Sequence, residues 1–299
     1  MATPRVLSIQ SHVVRGYVGN KSATFPLQLL GFEVDAINSV QLSNHTGYKH
    51  IDGQILDEKD LDKLITSMRG NNLLHYTHLL TGYIGSPAFL SKIAEVVKEL
   101  KANNPNLLYV CDPVMGDDGK MYVPQSLLPI YQETILPLAD VITPNQFEME
   151  LLLGQKVESI EDAWRAIEAF HRKGCGTVLV SSSTLGAKDE LIALSSKKID
   201  GKSVRVMASI PMLDAHFTGS GDLFSALTLA WLHKTGGNTQ LSLDNVIYSL
   251  QAVLKRTLNK ALELSGGQKP TPEQIELQLV QSKDDIESPK PTIKSIVVD

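Results

Sequence analysis

Cysteine is scarce in this chain: two residues in 299, Cys111 and Cys175, both in apolar, strand-like surroundings. That is too few for a disulfide framework, so reduced core thiols in a cytosolic protein are expected. Basic residues are not in excess either. With 28 Lys and Arg against 33 Asp and Glu, the formal net charge is -5, which argues against nucleic acid or an anionic membrane as a main partner. No apolar run approaches the roughly 20 residues that cross a bilayer. The start, Met1-Ala2-Thr3-Pro4-Arg5 and then Val6-Leu7-Ser8-Ile9, is too short and too soon polar for a signal peptide. No repeat of fixed period, low-complexity tract or internal linker interrupts the chain. What is present, 42% hydrophobic and 20% charged residues, suits a globular chain with a sizeable core, expected as a single domain over residues 1–299.

Strand-like and helix-like stretches alternate. Val6 to Ile9 reads as a buried first strand with Ser11 just past its end, followed by a loop with glycines at 16 and 19 and an apolar helix through Leu30, closed by Gly31. Phe32 to Val40 is a second strand. Asp57 to Met68 and Phe89 to Ala102 are amphipathic helices, with the strand and turn from His78 between them. Leu107 to Cys111 is the next strand. Another ends at Thr143, where Pro144 breaks it and a helix begins with Asn145 as N-cap and Glu148 three residues on, the spacing of a capping box. Ile160 to Arg172 is a helix, and Thr177 to Val180 a strand that ends in Ser181, Ser182 and Ser183. Leu191 to Leu194 and Ser203 to Ile210 are strand-like, and two helical segments span roughly Leu243 to Leu264. Gly266 to Lys290 reads as a polar surface excursion, and Ile293 to Val298 as an edge strand. The alternation predicts an α/β fold with a mostly parallel central sheet flanked by helices on both faces.

The stretch with the most chemistry is His216-Phe217-Thr218-Gly219-Ser220-Gly221-Asp222, directly before an apolar segment from Leu223 to Leu232. The N–H groups of Gly219, Ser220 and Gly221 can converge on an anion at the start of that helix. Asp222 is out of place in a phosphate cradle unless it accepts a proton from the group that attacks the phosphate; the bland alternative makes it an N-cap. Asp112 and Asp117 supply carboxylates after a strand end, suited to hydrated magnesium, whereas Asp118 in Asp-Asp-Gly reads equally well as a solvated turn. His45 and Thr46, in Leu42-Ser-Asn-His-Thr-Gly-Tyr48, can read a polar aromatic ligand, although a lone loop histidine is more often simply satisfied. The 13–21 loop has no Gly-Lys-Ser/Thr ending and reads as a substrate-facing or packing loop. Polar residues at the strand ends Ser11, Asp112, Thr143 and Ser181, beside an anion cradle and a lone Asp, point to phosphoryl transfer from a nucleotide to a hydroxyl.

Thr218-Gly219-Ser220-Gly221-Asp222 resembles the Gly-x-Gly-Asp signature of the ribokinase-like small-molecule kinases. Residues 8–20, 42–48, 109–117 and 142–148 further resemble the pyridoxal kinase family, so the likeness covers nearly the whole chain. It implies a ribokinase-like fold and ATP-dependent phosphorylation of the 5′-hydroxymethyl group of pyridoxal, pyridoxine and pyridoxamine, in vitamin B6 salvage. It also implies a cytosolic homodimer that uses magnesium or zinc with a monovalent cation, potassium or sodium. By matching motif, Asp222 would be the base and Gly219, Ser220 and Gly221 the anion hole. Ser11, Val18, His45, Thr46, Tyr83 and Phe217 would border the pyridoxal ring. Asp112, Asp117, Thr143 and Glu148 would serve metal and phosphates. Asn145, Ser181, Ser182 and the stretch Ile210, Pro211, Met212, Leu213 would line the nucleotide, under a flap from Asp117 to Tyr122. The flap lacks a Lys-Trp-Asp insert expected of animal relatives, Ser220 stands where threonine is usual, and no tryptophan follows Tyr48. The nearest rival is a kinase of the same fold acting on hydroxymethylpyrimidine or a sugar.

Overall fold

The structure is a computed structural model and describes residues 3–117 and 119–298. In chain order the first half contains β1 (Arg5–Val13), α1 (Asn20–Leu29), β2 (Glu33–Leu42), β3 (Gly53–Ile55), α2 (Glu58–Gly70), β4 (His78–Thr81), α3 (Pro87–Asn103) and β5 (Leu108–Cys111). A two-strand ribbon follows, β6 (Gly116–Asp117) and β7 (Lys120–Met121). Residues 125–138 then form short helical turns, among them α4 (Leu128–Ile130), with Pro129 and Pro137 preventing a regular helix. The second half contains β8 (Val141–Ile142), α5 (Gln146–Leu153), α6 (Ile160–Arg172), β9 (Thr177–Ser183), β10 (Glu190–Ile199), β11 (Lys202–Pro211), α7 (Ser220–Lys234), α8 (Thr239–Leu264), α9 (Lys283–Glu287) and β12 (Ile296–Val298).

Ten strands form one sheet in the order β12-β11-β10-β9-β8-β5-β4-β1-β2-β3. The central strands from β9 to β2 pair in parallel, and antiparallel pairs extend both edges. Parallel strands are covered on both faces, and the side chains alternate accordingly. Leu7, Leu79, Tyr109, Ile142 and Val178 point into a core shared with α2, α3, α5 and α6. Val6, Leu80, Val110, Val141 and Leu179 point into the opposite core, with α1, α7 and α8. Near-continuous apolar runs such as Val6-Leu7 and Leu79-Leu80 are what double burial requires. Cys111 and Cys175 are buried free thiols, and burial raises both to about 12.

Several expectations change. β1 continues to Val13, so Ser11 lies inside the strand, at a register shift between Gln10 and His12 rather than beyond its end. Ser181 to Ser183 likewise belong to β9. The two helical segments are one 26-residue helix, α8, whose sequence has no glycine or proline to divide it. The polar excursion is anchored: Leu277, Leu279 and Ile286 are fully buried in the α7–α8 core, each contributing about 1.5–3 kcal/mol. Alternating apolar residues in a charged stretch were the available signal.

Candidate functional site

The register of the parallel strands brings several polar residues to one edge. Ile9 pairs with Thr81, Thr81 with Cys111, and Cys111 with Ile142, so β4, β5 and β8 end level with the middle of β1. Asp112 N–H donates to the Thr81 carbonyl at 2.9 Å and Thr143 N–H to the Cys111 carbonyl at 3.1 Å. Ser181 N–H reaches the Pro144 carbonyl at 3.3 Å. This is the crevice at the carboxyl edge of an open α/β sheet, where ligands bind.

Across that edge α7 begins. Its N-cap is Gly219, at φ 86°, where a Cβ would run into the Tyr17 carbonyl oxygen. Glycine is therefore required, and the orphan N–H groups of the first turn face outward from a partly buried end. The N-cap reading of Asp222 does not hold. Asp222 sits inside the first turn, and its Oδ2 accepts from the N–H of Gly19 at 2.8 Å, far away in sequence. Gly19 is left-handed as well, at φ 54°, and a side chain there would overlap the Ser11 carbonyl. The 16–19 loop is thus pressed between β1 and α7, with Ser22 Oγ donating to the Gly219 carbonyl at 3.1 Å.

Electrostatics separate the carboxylates. Burial pushes Asp222 up to about 6, with the Gly19 N–H pulling the other way. Burial, then the neighbouring charges of Glu148 and Asp222, hold Asp112 well above its ordinary value. Asp112 Oδ2 accepts from Ser225 Oγ at 2.9 Å, and Ser225 shares a 2.7 Å hydroxyl bond with Thr143. Ser225, three residues after Asp222 on the same face of α7, was missed in the sequence; that spacing was the signal. Glu148 completes the predicted capping box with Asn145, and its other oxygen accepts from Met115 N–H at 2.9 Å. Burial raises it to about 8 against those backbone donors. Among the described residues no group of three or more His, Cys, Asp or Glu forms a ready-made metal cage. The oxygen donors of Asp112 and Thr143, in an excess of buried negative charge, fit a hard cation that keeps its remaining ligands as water and phosphate.

Beside α7 lies a cleft of about 480 Å³ lined by Asp117, Asn145, Ser181, Ser182, Ile210, Met212, Leu213, Phe217, Ser220 and Gly221. Leu250, Gln251 and Leu254 of α8 line it too and were not foreseen; as core-like residues of an amphipathic helix they gave no sign of facing a ligand. Pro211 is exposed at the end of β11, while Thr143 and Glu148 are buried near the cleft residues Asn145 and Gln146 rather than lining it. The β6–β7 ribbon is the predicted flap. Asn145 Nδ2 donates to the Gly116 carbonyl at 2.8 Å and Tyr122 N–H to Met115 at 2.8 Å, so its base is fixed to α5 while Tyr122 is 53% exposed. Asp118 lies outside the described residues.

Of the remaining expected residues, Val18 and Ser11 pack around the 16–19 loop. Val18 is buried against Gly219, Ser11 is half-buried next to Gly19, and Tyr83 is half-buried with its hydroxyl pKa raised by burial. Thr46 is exposed. His45 is 6% exposed and both ring nitrogens are engaged: Nδ1 accepts from Gly47 N–H at 3.0 Å and Nε2 lies 3.4 Å from Glu276. Glu276, in the supposed surface excursion, was not foreseen.

An anion-attracting helix start with a carboxylate of raised pKa in its first turn, beside an open cleft, on a doubly covered parallel sheet, defines a small-molecule kinase of the ribokinase-like class. A family model described as Phosphomethylpyrimidine kinase matches residues 29–272. The pyridoxal kinase of Sus scrofa is 50% identical over 307 aligned positions, covering 98% of this chain and 95% of the relative. Pyridoxal kinase from Leishmania donovani in complex with ADP and pyridoxine is 36% identical, with a TM-score of 0.92 and 99% of each chain covered. The same enzyme in complex with ADP and pyridoxamine gives 36% identity, a TM-score of 0.90 and 98% coverage of both chains. The chain belongs to the pyridoxal kinase family.

Proposed function

We propose that the chain, acting as a single domain, transfers the γ-phosphoryl group of ATP to the 5′-hydroxyl of pyridoxal, and also of pyridoxine and pyridoxamine. One observation carries the reading: Asp222, with its pKa raised towards 6, is held by Gly19 N–H at the mouth of the α7 anion site, beside the cleft. In the ionised form it accepts the hydroxyl proton as the oxygen attacks phosphorus; the bond from the γ-phosphorus to the bridging oxygen breaks, and ADP leaves. The N–H groups of Gly219, Ser220 and Gly221 bind the phosphoryl oxygens while their charge redistributes.

Asn145, Ser181, Ser182 and the Ile210–Leu213 stretch hold the nucleotide, and the flap from Asp117 to Tyr122 keeps water from the γ-phosphate. Ser11, Val18, His45, Thr46, Tyr83 and Phe217 border the pyridine ring. Asp112 and Thr143, supported by Asp117 and Glu148, hold magnesium or zinc, with potassium or sodium as the monovalent ion. The divalent ion neutralises phosphate charge. We place the enzyme in the cytosol, in keeping with its buried free thiols, and read it as a homodimer. The exposed apolar residues Val14, Ile51 and Ile55 near the β3 edge support that reading, and sedimentation of the purified chain tests it.

The functional test is ATP-dependent formation of pyridoxal 5′-phosphate by the purified chain, with magnesium and potassium each omitted in turn. Pyridoxal turnover that is lost without magnesium is the expected result. Turnover of hydroxymethylpyrimidine or ribose without turnover of pyridoxal would overturn the assignment.

A further inference from the structure

Glu276 is a buried charge that the phosphoryl transfer does not use. Its side chain is 11% exposed and comes from the segment between α8 and α9, 259 residues after Tyr17. Three donors converge on it. Tyr17 N–H donates to Oε2 at 3.1 Å, Tyr48 O–H to Oε1 at 2.9 Å, and His45 Nε2 stands 3.4 Å from Oε1. Because Gly47 N–H donates to His45 Nδ1, the neutral imidazole carries its proton on Nε2, aimed at Glu276. The ring is held on both sides, and it packs edge-on against Tyr48 at 4.8 Å between centroids and 65° between planes. Both nitrogens being committed, His45 can meet a ligand only through its carbon edge or face. The loop side is equally constrained: Gly16 has φ 93°, and a side chain there would run into the Glu276 carboxylate. Tyr17 in turn presses its carbonyl on Gly219.

We propose that Glu276 is the positioning residue of the vitamer half of the site. One carboxylate fixes the His45 ring, the Tyr48 ring and the 16–19 loop in the arrangement that receives the pyridine ring, so that the loops need not be ordered when substrate binds. The inference rests on the proposed function, since it assigns these loops to the vitamer. It predicts a one-sided effect, because Glu276 is not among the residues that line the nucleotide cleft.

The test compares steady-state kinetics of wild type, Glu276→Ala, Glu276→Gln and the control Glu273→Ala. Glu273 pairs with Arg15 at 2.7 Å, but the two side chains are 65% and 70% exposed, so its loss is expected to change nothing measurable. Glu276→Ala is expected to raise KM for pyridoxal by about tenfold or more, with KM for ATP within about twofold and kcat at saturation within about threefold. Glu276→Gln keeps one acceptor oxygen and is expected to recover part of the loss. If the alanine variant does not fold, the glutamine variant and Tyr48→Phe carry the same comparison in folded protein. Equal increases in both KM values, or an unchanged KM for pyridoxal in folded variants, overturn the positioning role alone. Absence of pyridoxal turnover in the wild type removes the functional reading and the inference with it.

Discussion

Two partly buried carboxylates, Asp222 and Glu276, meet the same 16–19 loop and have opposite electrostatics. Asp222 receives one backbone N–H, from Gly19, and burial wins: its pKa rises to about 6. Burial also pushes Glu276 up, but hydrogen bonds from His45, Tyr48 and Tyr17 together outweigh it and hold the carboxyl below its usual range. Burial and donor supply together separate the two: one donor leaves Asp222 with a raised pKa, whereas three donors hold Glu276 below its usual range. An under-supplied carboxylate is poised to take a proton; a fully supplied one has no reason to.

Gly19→Ala places a Cβ against the Ser11 carbonyl and displaces the one donor to Asp222; kcat/KM is expected to fall by about 10²-fold or more while the fold survives by circular dichroism. The pH profile comes next. Asp222 must be ionised to accept a proton, so kcat/KM is expected to drop about tenfold per unit below pH 6 and to level off above it. Ser225→Ala removes the donor to Asp112 and its link to Thr143; a loss of about 1–3 kcal/mol in stability and a weaker response to magnesium are expected in denaturation and metal titrations.

The smallest effect is on stability. A raised carboxyl pKa contributes stability that is present below its unfolded value and lost as pH rises through about 6. Asp222→Asn is therefore expected to be more stable than wild type by about 2 kcal/mol at pH 8, discounted for partial exposure, with the difference vanishing near pH 4. Glu276→Gln should behave oppositely, losing stability at neutral pH because its carboxylate is held down. Chemical denaturation at pH 4 and pH 8 reads both signs.

Much of this was legible in the sequence because local rules agreed. The helix from Ile160 to Arg172 and the capping box of Asn145 and Glu148 appear as expected, since period and cap point the same way. Asp112 and Thr143, just past their strands, come together with Ser181 of β9 because parallel register is a consequence of the βα alternation. What stayed hidden depends on long-range contact. Nothing local to Gly19 says that its N–H meets Asp222, and nothing around Glu276 says that it anchors His45. Leu277 and Leu279 hinted that this segment returns to the core, but not where its glutamate points. The division of the α8 region had no ground in the sequence: no glycine or proline falls between the Asn238 N-cap and Gly266, so one helix runs through.

Proton transfer to Asp222 is read most directly by a single-turnover rate. With ATP, magnesium and pyridoxal saturating, Asp222→Asn is expected to form pyridoxal 5′-phosphate at least about 10³-fold more slowly than wild type, with Kd for ATP and pyridoxal nearly unchanged. A rate within tenfold of wild type in a folded, substrate-binding variant would contradict it.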